Sequence, residues 1–183
     1  MQTHDDLKSL ITDEMRACIG RTSPVRSMPE EIASSDIRRY VEAIGETNPL
    51  WTDDEFARSL GYKGRRVPPL LVTQFRWRIE DREEGEHLAE SEWSGLVYPD
   101  GYTSFRNAGQ EVEWLAPVYV GDILSYQSKL TDIFVRQGKA GPLIFTKTEN
   151  EIRNQDGVVV VRSTSTGARM RAARHASAPK QEA

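Results

Sequence analysis

The sequence predicts an α+β fold, with helices gathered on one side of an antiparallel sheet. Three observations carry this. Apolar residues recur at helical spacing from Leu7 to about Asp81. From Thr103 to Met170 the apolar period is two, as in strands with one buried face. The helical segments all come first, the long strands follow, and nothing repeats.

Residues 5–19 read as a short helix, because Leu7, Leu10, Ile11, Met15 and Ile19 approximate one face and Gly20 can stop it. Pro24 and Pro29 cannot donate to a ladder, so residues 24–32 read as an edge strand or extended arm. Ser35-Asp36 opens a second helix. Ile37, Tyr40, Val41 and Ile44 share its face and Gly45 closes it. The chain bends at Asn48-Pro49, since proline disfavours helical backbone at the residue before it. Thr52 with Glu55 is a capping-box signature. Asp53 and Asp54 suit the positive end of the helix dipole, and this third helix ends at Gly61.

Pro68 and Pro69 open a helix running to about Asp81, where their missing N–H groups cost nothing. Its stripe of Leu71, Val72, Phe75 and Ile79 is widened by Leu70 and Trp77, which predicts burial on most sides. Residues 80–102 form a long loop containing Trp93 and Tyr98, expected to cover something or to meet a partner. Val112 and Trp114 alternate with Glu111 and Glu113 in a first strand. Leu124, Tyr126 and Leu130 repeat the pattern in a second. A turn at Gly138 to Pro142 leads to a third strand, Leu143 to Ile152. The hairpin signal Asn154-Gln155-Asp156-Gly157 leads to a fourth, Val158 to Met170, whose run of valines predicts partial burial on both faces. The expectation is one domain over residues 1–170 and a flexible tail over 171–183.

Composition excludes several classes of function. A length of 183 residues, 38% of them hydrophobic and 28% charged, suits one globular domain with its own core. A net charge of −4 gives no basic field for nucleic acid. No apolar run approaches the ~20 residues of a membrane helix. Met1 to Ile11 lacks the basic start and apolar middle of a signal peptide, so a cytoplasmic location is expected. The single cysteine, Cys18, excludes an internal disulfide and a cysteine metal cluster, and reads as a small core residue. His4, His87 and His175 are far apart, His87 reads as an idle surface residue, and no metal or cofactor is expected.

Several segments, in order, resemble MaoC-like dehydratases. These are Ile37 to Leu60, Gly64-Arg65-Arg66-Val67-Pro68-Pro69, Pro117 to Asp122, and Gly138 to Pro142 through Asn154 to Gly157. Within that family the chain is most similar to the N-terminal-type MaoC dehydratase domain. It is also similar to the non-catalytic subunit of a mycobacterial heterodimeric dehydratase, in which Gly61-Tyr62-Lys63-Gly64 recurs. The resemblance covers about residues 10 to 170. It implies a hot-dog fold, an antiparallel sheet wrapped round one long central helix. It also implies hydration or dehydration of acyl thioesters on coenzyme A or acyl carrier protein.

That chemistry needs a base for the proton α to the thioester, an acid for the β-hydroxyl, and a donor for the thioester oxygen. Active members supply these from Asp-x-Asn-Pro-x-His and a glycine N–H at the start of the central helix. This chain departs three times: Glu46 stands at the aspartate position, Trp51 at the histidine and Pro69 at the glycine. Losing a general base costs ~10²–10⁴-fold, and losing an oxyanion donor costs ~10²–10³-fold. The resemblance therefore implies a substrate-holding subunit in a dimer or dimer of dimers, whose partner hot-dog chain carries the Asp/His pair.

Glu46 and Asn48 are the candidate catalytic residues. Trp51, Lys63, Arg65, Arg66, Pro68, Pro69 and Leu70 are the candidate substrate contacts. Each has a structural alternative. Asn48 and Pro49 can simply set a turn, and Trp51 can be ordinary packing rather than a floor for an acyl or pantetheine chain. Lys63, Arg65 and Arg66 can be a solvated loop rather than a phosphate contact. Two other functions stay open: a homodimeric hydratase using Glu46, and an acyl-thioester binding module without turnover.

Overall fold

The structure is a computed structural model. It describes residue 7, residues 9–75 and residues 94–172. Expectations for Trp77, Ile79, His87, Trp93 and the stretch from 76 to 93 lie outside the described residues, as do those for 173–183.

Four long strands form the sheet: β2 (Ser104–Trp114), β3 (Ser125–Gly138), β4 (Gly141–Arg153) and β5 (Val159–Met170). With the short β1 (Arg26–Ser27) they order as β1-β3-β4-β5-β2, and every neighbouring pair is antiparallel. The turns are where local chemistry puts them. At the β3–β4 turn a Cβ on Gly138 would sit 2.3 Å from the Leu143 side chain, so only glycine fits without a shift. At the β4–β5 turn the Asn154 side chain accepts from the N–H groups of Asp156 and Val158 (3.2 and 2.9 Å), and Gly157 takes φ +78°.

The free side of β3 is closed by the N-terminal arm, through β1 and through N–H groups of Gly20, Ser23 and Met28 donating to Leu130, Ser128 and Leu124. That is the edge element expected at 24–32. The N-terminal helix is shorter than its apolar pattern suggests. The Thr12 hydroxyl accepts from Met15 N–H and starts a separate turn, α1 (Asp13–Arg16), and Ile19 is left 40% exposed.

The helix α2 (Ser34–Ile44) ends as expected at Gly45 (φ +67°). Its Ile37 and Val41 are buried, but Ile44 lies beyond the core and is 56% exposed. A short 3₁₀ turn, Pro49–Trp51, follows. The next helix, α3 (Asp54–Ser59), is capped by Asp53 rather than Thr52. The N–H groups of Thr52 and Asp53 both donate to Pro49 O, which makes Thr52 the C-cap of the 3₁₀ turn and moves the helix cap along by one.

α4 (Pro69–Gln74) is the described part of the expected central helix, with Pro68 at its cap and Pro69 in its first turn. Its Leu71 and Val72, with Phe75, pack on Leu124, Ile152, Val160 and Val161 of the sheet and on Ile37 and Val41 of α2. Each such fully buried side chain contributes roughly 1.5–3 kcal/mol. The expectation of burial on most sides fails at Leu70, which is 59% exposed. The run of valines divides as expected: Val160 and Val161 are buried, while Val158 is 47% exposed.

A second apolar cluster joins Met15, Cys18, Leu130, Ile133 and Ile144 to Leu96 and Tyr102, so the end of the long loop does cover part of the core. Between the two clusters lies a polar group. Tyr126 Oη and Ser128 Oγ both bond Asn150 Oδ1 (2.8 and 2.6 Å), and Asn150 Nδ2 donates to Ser165 Oγ (3.2 Å). A buried amide is tolerated only when its bonds are made, as they are here. At the far end Ala172 N–H bonds Gly101 O.

The segment leading into α4 is held by Asp54. Its Oδ1 accepts from Arg65 N–H (2.8 Å) and its Oδ2 from Arg65 Nε (3.0 Å). A Cβ on Gly64 would lie 2.9 Å from that carboxylate. The backbone N–H of Arg65, ahead of its guanidinium, holds the Asp54 carboxyl below the usual carboxylate range. A depressed carboxylate contributes stability above its unfolded pKa and loses it as pH falls. The Asp54→Asn variant is therefore expected to lose about 1 kcal/mol near neutral pH, read as a lower urea midpoint. The gap should close as the pH drops through the acid side of the carboxylate range, where the native Asp54 also loses its charge.

Candidate functional site

Glu46 follows the left-handed cap of α2, with its N–H donating to Val41 O. Its side chain turns back on its own loop, where Oε1 accepts from the N–H groups of Thr47 and Asn48, both at 2.9 Å. Asn48 is extended (φ −65°, ψ 120°), as its following proline requires, and its Oδ1 accepts from Leu50 N–H at 3.0 Å. Asn48 thus caps the 3₁₀ turn, Glu46 braces the loop before it, and both residues are exposed.

That turn is joined to the start of α4. Arg66 N–H donates to Leu50 O (3.2 Å), Arg66 bridges Tyr119, and Val67 N–H donates to Val118 O (2.8 Å). The structure therefore brings Asn48, Trp51, Arg66, Pro68 and Pro69 into one neighbourhood. Trp51 is half-buried against the first core cluster. Pro68 O accepts from the N–H groups of Leu71 and Val72, and Pro69 O accepts from Trp114 Nε1 at 2.9 Å. Neither proline has an N–H to offer a thioester oxygen.

The three cations separate. Arg65 turns to Asp54 and to Ser34 Oγ (3.1 Å), where it ties α3 to α2. Arg66 stacks 4.6 Å over the Tyr62 ring, and Lys63 Nζ lies 5.9 Å from the Tyr119 ring centre. No ion pair involves Lys63 or Arg66 among the described residues, and Arg66 Nε is buried without a hydrogen-bond partner. Leu70 stands exposed beside them in sequence, not folded into the core.

No histidine falls among the described residues, and among them no group of three or more His, Cys, Asp or Glu is placed to hold a metal. Sequence reasoning missed three contributors. Tyr62 and Tyr119 are the aromatic faces under Arg66 and Lys63, and alternation of Tyr-x-x-x-Arg in a loop carries no period to read. Trp114 was read as an inward strand residue, yet it is 45% exposed and clamps Pro69. The signal available was its place at the end of the strand, level with the start of the helix.

Residues 17–163 match the family described as FAS1-like, dehydratase domain region. A curated relative from Thermomonospora curvata, named probable enoyl-CoA hydratase alpha subunit, is 30% identical over 80% of this chain, which spans only 47% of that relative. A UPF0336 protein of Streptomyces avermitilis is 29% identical over 63% of this chain and 70% of its own length. Among solved structures, the ChsH1-ChsH2 complex of Mycobacterium tuberculosis superposes with a TM-score of 0.74 at 20% identity, covering 92% of this chain and 98% of that one. A MaoC-like dehydratase of Rhodospirillum rubrum does so with a TM-score of 0.57 at 21% identity, covering 85% and 94%. No helix among the described residues is long and apolar enough to cross a membrane. With its family match over most of its length, the chain belongs to the FAS1-like dehydratase-region family, and its neighbours give it the hot-dog fold.

Proposed function

We propose that this chain is the substrate-holding subunit of an acyl-thioester hydratase or dehydratase, and that a second hot-dog chain carries the Asp/His pair. The observation that carries the reading is the state of its own site. By the resemblance Trp51 stands at the base position and Pro69 at the donor position, and the Glu46 carboxylate is engaged by its own loop. Among the described residues the neighbourhood holds no histidine, and Pro69 has no N–H to offer an enolate oxygen.

In the dehydration direction the partner's base removes the α proton, the electron pair forms the double bond, and the β-hydroxyl leaves as water with a proton from the partner's acid. This chain contributes binding. Lys63 and Arg66, the cations without ion pairs, meet coenzyme A or carrier phosphate. Trp51 and Leu70 line the path of the pantetheine or acyl chain. Arg65 is left out of this role because Asp54 and Ser34 already hold it. Two relatives support a heteromeric setting by their names alone: an alpha subunit of a probable enoyl-CoA hydratase, and the HadBC 3R-hydroxyacyl-ACP dehydratase complex of Mycobacterium tuberculosis.

The test is hydration of a medium-chain enoyl-coenzyme A, first by the purified chain and then with a MaoC-like chain bearing Asp-x-Asn-Pro-x-His. The mixture should exceed either chain alone by at least ~10²-fold, the size of a missing general base. Full activity without the partner, abolished in Glu46→Gln, would overturn this reading and favour the self-sufficient enzyme. Tight thioester binding with no turnover in either case would favour the binding module.

Lys63→Ala and Arg66→Ala should each raise KM for the coenzyme A thioester about tenfold or more in the mixture, the scale of a hydrogen bond to a charged group. KM for the matching pantetheine thioester, which lacks the nucleotide phosphates, should stay unchanged. An equal rise for both thioesters would remove phosphate contact from the role of these two residues.

A further inference from the structure

The sequence holds two Asp-Gly pairs, Asp100-Gly101 and Asp156-Gly157, and no Asn-Gly pair. Such a pair can modify itself. The backbone nitrogen of the glycine attacks Cγ of the aspartate, a C–N bond forms, and water leaves as a succinimide ring closes. Water then opens the ring at either carbonyl. Opening at the α carbonyl carries the main chain through Cβ and leaves the α-carboxylate free, which is isoaspartate. The water lost in the first step returns in the second, and no other reactant enters. Glycine permits the attack because it has no Cβ in the way.

The glycine nitrogen decides between the two pairs, since it must be free to turn toward the carboxyl group. In the β4–β5 turn Gly157 N–H donates to Asn154 O at 3.0 Å. Asn154 Oδ1 accepts from Asp156 N–H at 3.2 Å and from Val158 N–H at 2.9 Å, so every N–H around that pair is engaged. The other pair lies in the turn ahead of β2. There Tyr102 N–H donates to Pro99 O at 3.1 Å and Gly101 takes φ +83°, the arrangement of a type II turn. Gly101 N–H belongs to the central peptide of that turn and makes no backbone hydrogen bond among the described residues. Asp100 and Gly101 are both exposed, so water reaches the ring that forms.

We infer that Asp100-Gly101 is a self-modification site of the folded chain: it converts to isoaspartate and becomes a methyl acceptor for S-adenosylmethionine-dependent enzymes that esterify isoaspartyl carboxylates. In that esterification the carboxylate oxygen takes the methyl group and the sulfonium leaves as a neutral thioether. The position gives the change a structural effect. Gly101 O accepts from Ala172 N–H at 3.0 Å just past the end of β5, and a Cβ on Gly101 would lie 3.9 Å from Arg171 Cγ. The next residue, Tyr102, is buried in the second apolar cluster, with the Arg171 guanidinium 5.5 Å over its ring. Isoaspartate adds one methylene to the main chain ahead of these contacts, which moves Gly101 O away from Ala172. The modification therefore undocks the end of β5 from the turn.

This inference goes beyond the proposed function and does not rest on it, since no thioester or catalytic partner enters its test. The purified full chain is held at neutral pH for weeks. Samples are assayed for methyl transfer from labelled S-adenosylmethionine by an isoaspartyl methyltransferase, and fragmentation mass spectrometry places the site. Acceptance should rise several-fold with time, in the peptide that contains Asp100. Asp100→Glu should abolish the rise, because glutamate must close a larger ring. Asp156→Glu should leave it unchanged. Both aspartates are exposed, so neither substitution removes a core contact. In urea, where Gly157 N–H is released, both pairs should react. A native chain that reacts equally at both pairs, only at Asp156, or not at Asp100 would overturn the inference. Hydrogen exchange at Ala172 N–H should be faster in the isoaspartyl fraction than in fresh protein, and equal exchange would overturn the undocking.

Discussion

The fold of the described residues depends on one burial: the apolar side of α4 against one face of the sheet. Leu71, Val72 and Phe75 meet Leu124, Ile152, Val160 and Val161, and α2 closes over them with Ile37 and Val41. The contact fixes where α4 starts, and the start of α4 fixes the candidate site. Val67 is bonded to Val118 and Arg66 to Leu50, so the chain entering the helix is pinned between a sheet-side loop and the 3₁₀ turn. A thioester site needs rigid placement more than it needs many groups. Here placement is provided from both sides before any chemistry is considered.

The same burial explains the polar group in the middle of the fold. Asn150, Ser128 and Tyr126 sit on the sheet face that carries the core, between two apolar clusters. An apolar core without that break has fewer constraints on how the sheet slides under the helix. A satisfied amide must keep its partners, and each of them belongs to a specific strand. Asn150 on β4 reaches Ser128 on β3 and Ser165 on β5, so its bonds tie three strands in one register.

Much of this was legible in the sequence because it is local. Gly45, Asn154 to Gly157 and Pro68-Pro69 act through φ limits or missing N–H groups, and these hold wherever the residue falls. What was not legible depends on the tertiary arrangement. Asn150 lies within Thr-Glu-Asn-Glu, which reads as a solvent face. Leu70 completes an apolar stripe by spacing, yet nothing packs over it. The cap at Asp53 follows from a 3₁₀ turn that ends one residue later than the sequence suggests. At the site, the positions of Glu46, Trp51 and Pro69 were readable from the resemblance. That Glu46 is engaged by the N–H groups of Thr47 and Asn48, and Arg65 by Asp54, was not, since spacing says nothing of where a side chain turns.

Those engagements change the meaning of the three substitutions at the site. A lost base alone leaves a site that a single reversion can mend. Here the replacements have acquired structural work of their own. Glu46 caps the loop that positions Asn48, Trp51 packs on the core, and the ring of Pro69 fixes φ in the first turn of α4. Restoring histidine at 51 would remove a core contact, and restoring glycine at 69 would loosen the first turn of α4, where proline fixes φ. The three residues are therefore coupled to the fold, which is what the proposed holding role requires and a merely damaged active site does not.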